Sequence, residues 1–505
     1  MIAFTSLVLL FAVHAAGSAH AAGSAHAAGS AHAAGRVSQA APSATCREIS
    51  ECLQLAAEAE ERHDYETFHD LAWRAVQVGS KNDASLMYRL ARAQALSGRP
   101  HDALVMLQRL AEMGVATDAA TNDDFQRTRA LPGWAEVEPL LARAGQSANN
   151  RLTAAAPSPL ERSKTSSGAV GPTAPTSSPV PPASPASAVS SSPNTAVRAP
   201  DAKLAATTVS PVVDQAVRVS SPFFAAAGLA YDAVSRRFVV GDLHDRKLMV
   251  VDETANHAVD LVRADSAGFR DIAAIEIDGR RGDLWVATAV SEDRGWSLHR
   301  MQLLSGRPLK MVPVPADLEP LKIVDLAITP AGAVLALDAA GSRLLMMRPG
   351  GTTFATVPHL TVQGPTSVAT TSDERIVYVA HEGGVTRVDL TTGASVQVTQ
   401  QKDHDMKRIE RIRWHANALL AVQADEAQIR RIVRFRLNGS GRAVTAATTL
   451  EAAVPAASGP TFLTLAGDDL SYLVAAAEET PDSSRNQPAD QRAAFTIRRI
   501  RLPQP

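Results

Sequence analysis

Three residues that could do chemistry lie together in the stretch GLAYDAVSRRFVVGDLHDRKLMVVD, which runs from Gly228 to Asp252. Asp242, His244 and Asp245 combine two carboxylates with an imidazole, side chains that hold zinc or act in general acid–base catalysis. Apolar and polar residues alternate on both sides of this cluster, as is typical of β-strands. Two interpretations are therefore open: a metal or catalytic site, or the turn between two strands of a structural repeat.

The two cysteines of the chain, Cys46 and Cys52, lie in the stretch CREISEC. An oxidising compartment would permit a disulfide between them. On one continuous helix their Cα atoms would be about 9 Å apart by rise alone, which is beyond bridging range. A disulfide therefore requires Cys46 to lie before the helix and to fold back towards it. Two free thiols are the alternative.

The overall composition gives little support to nucleic-acid binding. The 505 residues carry a formal net charge of −2, and aromatic residues make up 4% of the chain. A net charge this small does not attract nucleic acid or an anionic membrane, and few aromatic rings are available for base stacking. The sequence also lacks Gly-x-Ser-x-Gly, phosphate-loop, His-Glu-x-x-His and Cys-x-x-Cys motifs. We expect two or three domains from the length and no nucleic-acid partner.

Residues 1–16 have the features of an export signal. The apolar run IAFTSLVLLFAV is followed by HAA, so that Val13 and Ala15 occupy the −3 and −1 positions of a cleavage site. No lysine or arginine precedes the run, and the run is too short to span a bilayer. We expect a bacterial protein exported to the periplasm or the cell exterior, with no transmembrane segment in the mature chain.

The six-residue repeat HAAGSAHAAGSAHAAGSAHAAG begins at His14, continues into residues 17–45 and brings four histidines at regular spacing: His14, His20, His26 and His32. Six residues advance a helix by roughly 240° and an extended chain by roughly 20 Å, so neither form gathers the imidazoles. We expect a disordered low-complexity segment there rather than a metal site.

Residues 46–145 place apolar residues at helical spacing. Two segments of helix–turn–helix type can be overlaid with an offset of about 35 residues, and NDDFQRTRAL with WAEVEPLLARA supplies a third pair. The module resembles tetratricopeptide repeats at six positions: Leu90, Ala91, Gly98, Ala103, Leu107 and Leu110. The resemblance implies a short α-solenoid of helix hairpins that binds a protein or peptide partner. The alternative is a solenoid that only packs on its neighbour.

Residues 146–205 are rich in proline, serine and alanine and are expected to form a disordered linker, because they contain almost no large apolar residue to bury. From 206 to 505, six segments share a layout of three strands. They begin at GLAYD, IAAIEID, VDLAITP, TSVATTS, RIRWH and FLTLAG, about 42 to 52 residues apart, which predicts a six-bladed β-propeller. The stretch QAVRVS is expected to pair with the last blade and close the ring. The predicted fold class is thus multidomain, α plus all-β.

In this layout, GDLHDRKLMVVD is the turn between the second and third strands of the first blade. The corresponding turns LDAAGSRLLMM and AHEGGVTRVDL carry no His–Asp cluster. We therefore favour the turn interpretation, with Asp242 ending a strand and accepting hydrogen bonds from turn N–H groups.

The blades resemble those of NHL-repeat proteins and of the senescence-marker-protein/gluconolactonase group, on the pattern GLAYD, a basic turn, FVVGD and an aliphatic strand that ends in Asp. The resemblance to the gluconolactonase group implies a divalent metal in the central channel. However, Ala227 stands where that group has a Glu, and Val324 and Thr366 fall where later ligands are expected. Alanine and valine cannot coordinate a hard cation, whereas Asp325, one residue further along, can.

Four polar residues near the starts of the innermost strands form a mixed ring: Asp271, Asp325, Glu410 and Arg411. They are candidates for contacting a polar ligand at the channel mouth, the alternative being ordinary solvated loop ends. The arginines of HDMKRIERIRWH and QIRRIVRFRL are expected to alternate with packed residues and to face solvent.

We therefore predict an exported, non-catalytic binding or scaffold protein that uses both modules to bind protein or small polar ligands, without a cofactor. The alternative function is a metal-dependent, lactonase-like hydrolase that acts in the propeller channel and holds Ca or Zn.

Overall fold

The structure, a computed structural model, describes residues 46–155 except residue 81, and residues 213–503 except 221–223, 254–255, 291–294, 401–404, 456–458 and 476–494. The predicted signal peptide, the histidine repeat and most of the predicted linker lie outside these residues. The first described part is helical and the second consists of strands, so the expected α plus all-β architecture is confirmed. None of the described helices is long and apolar enough to cross a membrane.

The described helical part contains six α-helices: α1 (Ile49–Glu61), α2 (Tyr65–Val78), α3 (Ala84–Leu96), α4 (Pro100–Glu112), α5 (Gln126–Arg129) and α6 (Trp134–Ala155). The Asp64 side chain caps α2, the Asp83 side chain caps α3, and α4 begins with a proline. Each of these residues satisfies or removes an unpaired N–H group of the first turn. Helix α6 continues beyond residue 145, where we placed the boundary of the helical module.

Consecutive helices pack side by side, since α1 contacts α2, α2 contacts α3, α3 contacts α4 and α4 contacts α6. Alanines fill the crossing points, and Ala56, Ala91 and Ala103 are fully buried. Small residues let the helices approach closely. The packing is that of stacked helix hairpins, and the tetratricopeptide resemblance stays a prediction.

Cys46 lies before α1 and forms a disulfide with Cys52, with their Cα atoms 5.2 Å apart. Because α1 begins at Ile49, Cys46 does not lie on the helix and the chain folds back, as a bond between these residues requires. Both cysteines are buried in the core of the helical module.

The described strands form six four-stranded antiparallel sheets. In chain order the strands are β1 (Val213–Val219), β2 (Ala226–Asp232), β3 (Arg237–Asp242), β4 (Lys247–Asp252), β5 (Ala258–Val262), β6 (Ile272–Asp278), β7 (Asp283–Val290), β8 (Gly295–Gln302), β9 (Pro308–Pro313), β10 (Ile323–Ile328), β11 (Val334–Asp338), β12 (Arg343–Met347), β13 (Ala355–Thr356), β14 (Ser367–Thr370), β15 (Ile376–His381), β16 (Gly384–Asp389), β17 (Ser395–Gln397), β18 (Ile409–His415), β19 (Ala418–Ala424), β20 (Arg430–Leu437), β21 (Val444–Glu451), β22 (Phe462–Ala466), β23 (Asp469–Ala475) and β24 (Phe495–Arg501).

The sheets are arranged as a closed ring around their innermost strands. Each of β2, β6, β10, β14, β18 and β22 contacts the next, and β22 contacts β2. The second strands β11, β15 and β19 are buried at every residue, because both faces of a sheet pack against neighbouring sheets. The predicted six-bladed β-propeller is confirmed.

The ring is closed by β1, which precedes the first sheet but belongs to the sixth. It pairs with β24 in antiparallel fashion, with Val217 opposite Ile497 and Val219 opposite Phe495. The sixth sheet therefore takes its fourth strand from the other end of the propeller sequence, as predicted for QAVRVS.

A repeated carboxylate stabilises the corner after the second strand. Asp242 ends β3 and accepts hydrogen bonds from the N–H groups of Ala225, at 3.2 Å, and His244, at 3.0 Å. Asp338 ends β11 and accepts bonds from the corresponding N–H groups of the third sheet, at 2.8 and 3.0 Å. The same arrangement in two blades supports the structural interpretation of Asp242.

Candidate functional site

The centre of the ring carries two acidic and two basic side chains: Glu276 on β6, Asp325 on β10, and Arg411 and Arg413 on β18. The guanidinium of Arg413 lies 3.5 Å from the Asp325 carboxylate and 3.7 Å from that of Glu276. Arg411 lies 3.7 Å from Asp325. The four formal charges sum to zero, which limits the cost of placing them away from water.

Arg411 uses its hydrogen bonds within the protein. Its Nη1 donates to the carbonyl oxygens of Val324, at 2.9 Å, and Thr366, at 3.3 Å. Its guanidinium also lies 4.9 Å from the centre of the Phe462 ring. Burial lowers the pKa of Arg411, and Asp325 opposes that effect. Arg411 therefore joins the third, fourth, fifth and sixth sheets at the axis.

Glu276 and the Nη2 atom of Arg413 have fewer internal partners, whereas Nη1 of Arg413 donates to the carbonyl oxygen of Ile412 at 2.9 Å. One Glu276 oxygen accepts a bond from the N–H of Ile277 at 3.2 Å, and the other approaches Arg413 only at 3.7 Å, which exceeds hydrogen-bond distance. Burial raises the pKa of Glu276 to about 6, although Arg413 acts in the opposite direction. The facing atoms of the two side chains can thus bind a further polar group.

A cavity of about 280 Å³ lies beside this pair. Glu276 and Arg413 contribute to its wall, and Trp73 and Gln77 of α2 cover it from the helical module. Aromatic and apolar residues contribute much of the remaining wall, among them Tyr231, Ile277, Leu303, Trp414 and Leu465, and the polar residues Asp232, Thr370 and Thr464 also line it. Most of the lining residues from the innermost strands lie towards the strand ends, so α2 forms a roof over that end of the channel.

The roof is attached at one loop of the second sheet. Trp73 Nε1 and Gln77 Nε2 both donate to the carbonyl oxygen of Gly279, at 2.8 and 2.6 Å. The Trp73 indole packs over Gly282, whose φ is +63°. A Cβ at Gly282 would lie 2.9 Å from the indole, so glycine is needed there for both its conformation and its size.

A buried ion pair joins the two modules next to the roof. Arg99, the residue before α4, donates to Asp283 at 2.7 Å, and the Asp283 side chain is fully buried. Arg300 contacts the second Asp283 oxygen at 2.5 Å. Around this network, buried apolar residues of the helices and of the first two sheets form one continuous cluster. The helical module is thus packed firmly on the propeller.

Asp102 is a buried carboxyl group in the same interface. It lies on α4, is 1% exposed and accepts a hydrogen bond from the N–H of Ser305 at 3.1 Å. Burial raises the pKa of Asp102 from 3.8 to about 7, despite the opposing effects of Ser305 and Arg99. The folded protein therefore holds a proton on Asp102 that the unfolded chain would release.

Asp102→Asn is expected to flatten the pH dependence of stability. The stability contributed by Asp102 is fully present below about pH 4 and is lost as the pH rises through about 7, because the folded state binds more protons in that window. Asparagine does not ionise, and its amide oxygen still accepts the Ser305 bond. The variant is expected to melt above the native chain at pH 8, with the difference shrinking towards pH 5. Parallel melting profiles would contradict this.

The four residues predicted for the channel mouth do not form one site. Asp325 and Arg411 lie together at the axis, as described above. Glu410 instead pairs with Arg430 at 2.8 Å, and Asp271 is exposed, with its backbone carbonyl accepting a bond from Ala289. The axial group is completed by Glu276 and Arg413, which sequence reasoning missed.

The expectation that the arginines of both basic stretches face solvent is wrong for three of them. The side chains of Arg411 and Arg413 are 11% and 15% exposed, and Arg434 as a whole residue is 4% exposed. Arg411 and Arg413 lie on β18, and an innermost strand has no solvent face, because its side chains pack between sheets or point to the channel. Arg434 lies on β20 and donates to the carbonyl oxygen of Pro503 at 3.0 Å. Glu276 and Arg413 each lie four residues after the first residue of their innermost strand, Ile272 of β6 and Ile409 of β18. This shared position was the signal in the sequence that could have identified them.

The positions compared with the metal ligands of the gluconolactonase group hold ordinary structural residues. Ala227 and Val324 lie at bulges near the starts of β2 and β10, and the Thr366 hydroxyl donates to a backbone carbonyl at 2.7 Å. His244 contacts Asp245 at 2.9 Å. Across the described ranges, no three His, Cys, Asp or Glu side chains converge as a metal site would require.

Neither a protein-family model nor a curated protein matches the chain. Among solved structures, the chain is similar to a calcium-binding regucalcin from Agrobacterium tumefaciens, with 16% identity, a TM-score of 0.41, and coverage of 59% of this chain and 97% of that one. It is also similar to the PQQ-bound aldose sugar dehydrogenase from Streptomyces coelicolor, with 13% identity, a TM-score of 0.39, and coverage of 58% of this chain and 99% of that one. A third similar structure is virginiamycin B lyase from Staphylococcus aureus, with 13% identity, a TM-score of 0.37, and coverage of 51% of this chain and 80% of that one.

Proposed function

We propose that this is an exported, non-catalytic binding protein whose propeller channel takes a small polar ligand beneath the roof formed by α2. The observation that carries the proposal is the Glu276–Arg413 pair. It lines a cavity, and its two charged groups stand 3.7 Å apart without a hydrogen bond between them. A concave site that combines apolar surface with a few convergent polar groups is the usual form of a ligand pocket.

The helical module serves this function as a roof and as a second binding surface. Trp73 and Gln77 close the cavity, which accounts for one face of the module. We assign the helix hairpins to the tetratricopeptide type on the sequence pattern. The surface that is not packed on the propeller would then bind a protein or peptide partner.

Export to the periplasm or the cell exterior is part of the proposal. The Cys46–Cys52 disulfide supports it, because such bonds persist in oxidising compartments. The apolar N-terminal run with its small-residue cleavage site supports the same location.

A lactonase-like hydrolase is the second candidate. It is favoured by one observation, a carboxyl group at the cavity whose pKa is raised to about 6, within the range of a general base. Lactone hydrolysis by the purified protein, with and without added calcium or zinc, distinguishes this activity from simple binding.

The binding function is tested by screening small polar compounds for a rise in melting temperature. A ligand at 100 times its Kd stabilises a protein by about 2.7 kcal/mol, which such a screen detects. We expect a compound that stabilises the native chain and loses its effect in Arg413→Gln. Arg436→Gln removes the same charge from an exposed site on β20 and is the matched control. A screen without hits, or hits unaffected by Arg413→Gln, would contradict the proposal.

A further inference from the structure

We propose that the ligand of the roofed cavity is a free α-amino acid with an apolar side chain. This inference rests on the proposed binding function and deepens it. It assigns the ammonium group of the ligand to Glu276, the carboxylate to Arg413, and the side chain to the apolar part of the wall, which includes Trp73 and Leu303.

The spacing of the two charged groups carries the assignment. Glu276 and Arg413 approach to 3.7 Å, and the facing oxygen and nitrogen atoms form no hydrogen bond with each other. An α-amino acid carries its ammonium and carboxylate groups on the same carbon atom. It can therefore place one group against each partner and form two charge-assisted hydrogen bonds at once.

The electrostatic balance disfavours a ligand with net charge. Asp325 and Arg411 add one charge of each sign behind the pair, so the centre of the ring is neutral before a ligand arrives. A bare anion or a bare cation would add one uncompensated charge to these four groups, and Asp232, a further carboxylate at the cavity, is already paired with Arg237 at 3.4 Å. A zwitterion adds one charge of each sign and leaves the buried balance unchanged.

The cavity also limits the size and character of the ligand. Its volume of about 280 Å³ is below the roughly 300–1,000 Å³ of pockets for drug-sized ligands. Trp73, Trp414, Leu303 and Leu465 supply aromatic and aliphatic surface on its wall. A single amino acid with an aliphatic or aromatic side chain combines this size with a polar head and an apolar body.

Titration calorimetry of the full mature chain with L-leucine and L-phenylalanine tests the inference. N-acetyl-L-leucine lacks the ammonium group and L-leucinamide lacks the carboxylate. We expect the free amino acid to bind at least about tenfold more tightly than either analogue, because each analogue leaves one buried charge without a partner. Equal affinities for all three would overturn the inference, as would a failure of both amino acids to bind.

Two variants locate the site. Glu276→Gln is expected to remove the preference over the N-acetyl analogue, and Arg413→Gln the preference over the amide. Glu374→Gln, at an exposed position, is the control for the loss of a carboxylate. Unchanged preferences in both site variants would count against the inference. The analogue series uses the unaltered protein, so it decides the question even when a variant does not fold.

The pH dependence gives a further readout. The charged groups that face Glu276 are Arg413 on β18 and Asp325 on β10, and burial raises the pKa of Glu276 to about 6. Binding of the amino acid is expected to weaken as the pH falls below about 6, where Glu276 becomes neutral.

A neutral polyol that binds while no amino acid does would leave the proposed function intact and exclude the amino acid. Absence of any ligand would exclude both.

Discussion

Asp283→Leu is expected to release the helical module from the propeller, at a cost of about 3–5 kcal/mol in docking stability. Asp283 is fully buried and accepts hydrogen bonds from Arg99, at 2.7 Å, and from Arg300, at 2.6 Å. Leucine leaves two guanidinium groups without their counter-charge. The side chain of Arg99 is 10% exposed and cannot regain its hydration without leaving the interface.

Hydrogen–deuterium exchange measures this effect directly. We expect faster exchange in α2, α4 and the loop around Gly279, while sheets distant from the interface keep their protection. Arg375→Leu is the matched control, because Arg375 forms an ion pair with Asp389 at an exposed site and its loss should cost at most about 1 kcal/mol. Unchanged exchange in Asp283→Leu would show that the ion pair does not hold the modules together.

The double variant Arg99→Leu/Asp283→Leu separates the pair from its surroundings. Replacing both partners by apolar residues removes the unpaired Arg99 charge, so the double variant should be more stable than Asp283→Leu alone. Arg300, which is 24% exposed, can turn towards solvent. A double variant no better than the single one would attribute the loss to Arg300 instead.

Deletion of β1 (Val213–Val219) is expected to have the second large effect, which is opening of the propeller ring followed by aggregation. The deletion removes the fourth strand of the sixth sheet and leaves β24 paired with β23 on one side only, so that its other edge becomes exposed. It also uncovers Phe495 and Ile497, which are now buried with Val217 and Val219. An exposed apolar strand edge is a template for aggregation.

Size-exclusion chromatography and thermal melting check this outcome. A deletion of equal length between residues 170 and 180, in the predicted linker, is the control and should leave the elution volume and melting temperature unchanged. Val219→Asp keeps the strand but places a charge at a fully buried position, and it should destabilise without removing the backbone pairing. A monomeric deletion variant with the native melting temperature would show that closure depends on contacts other than β1.

The strands of the propeller could be predicted because their burial leaves a direct mark on the sequence. Segments such as IVYVAH and ALLAVQA are apolar throughout, and in the structure they are second strands packed on both faces. The outermost strands were less visible. β13 has two residues, and both are exposed, so no apolar pattern marks it.

The site was predictable only in part, for a physical reason. The blade layout placed Asp325 and Arg411 near the axis, because both lie close to the start of an innermost strand. We expected Arg413 to face solvent because polar and apolar side chains alternate along a strand when one face of its sheet is exposed to solvent. Its true environment depends on the closed ring, which no local pattern encodes.

The interface between the modules could not be predicted from the sequence. Arg99 and Asp283 are 184 residues apart, and each stands in a local context that resembles an ordinary turn or strand end. A charged residue destined for burial looks like any surface charge until its partner is known. Three-dimensional proximity was the missing information.

The position of Arg411 has a consequence for traffic through the propeller. Its side chain reaches from the fifth sheet to carbonyl groups of the third and fourth sheets and to the ring of Phe462 in the sixth. The side chain therefore lies across the central channel and obstructs it. We therefore do not expect a ligand bound under Trp73 to leave the channel on the side of Arg411. We expect the ligand to enter and leave by the same opening, beside α2. The rates of ligand association and dissociation should then depend on how often α2 moves away from the cavity.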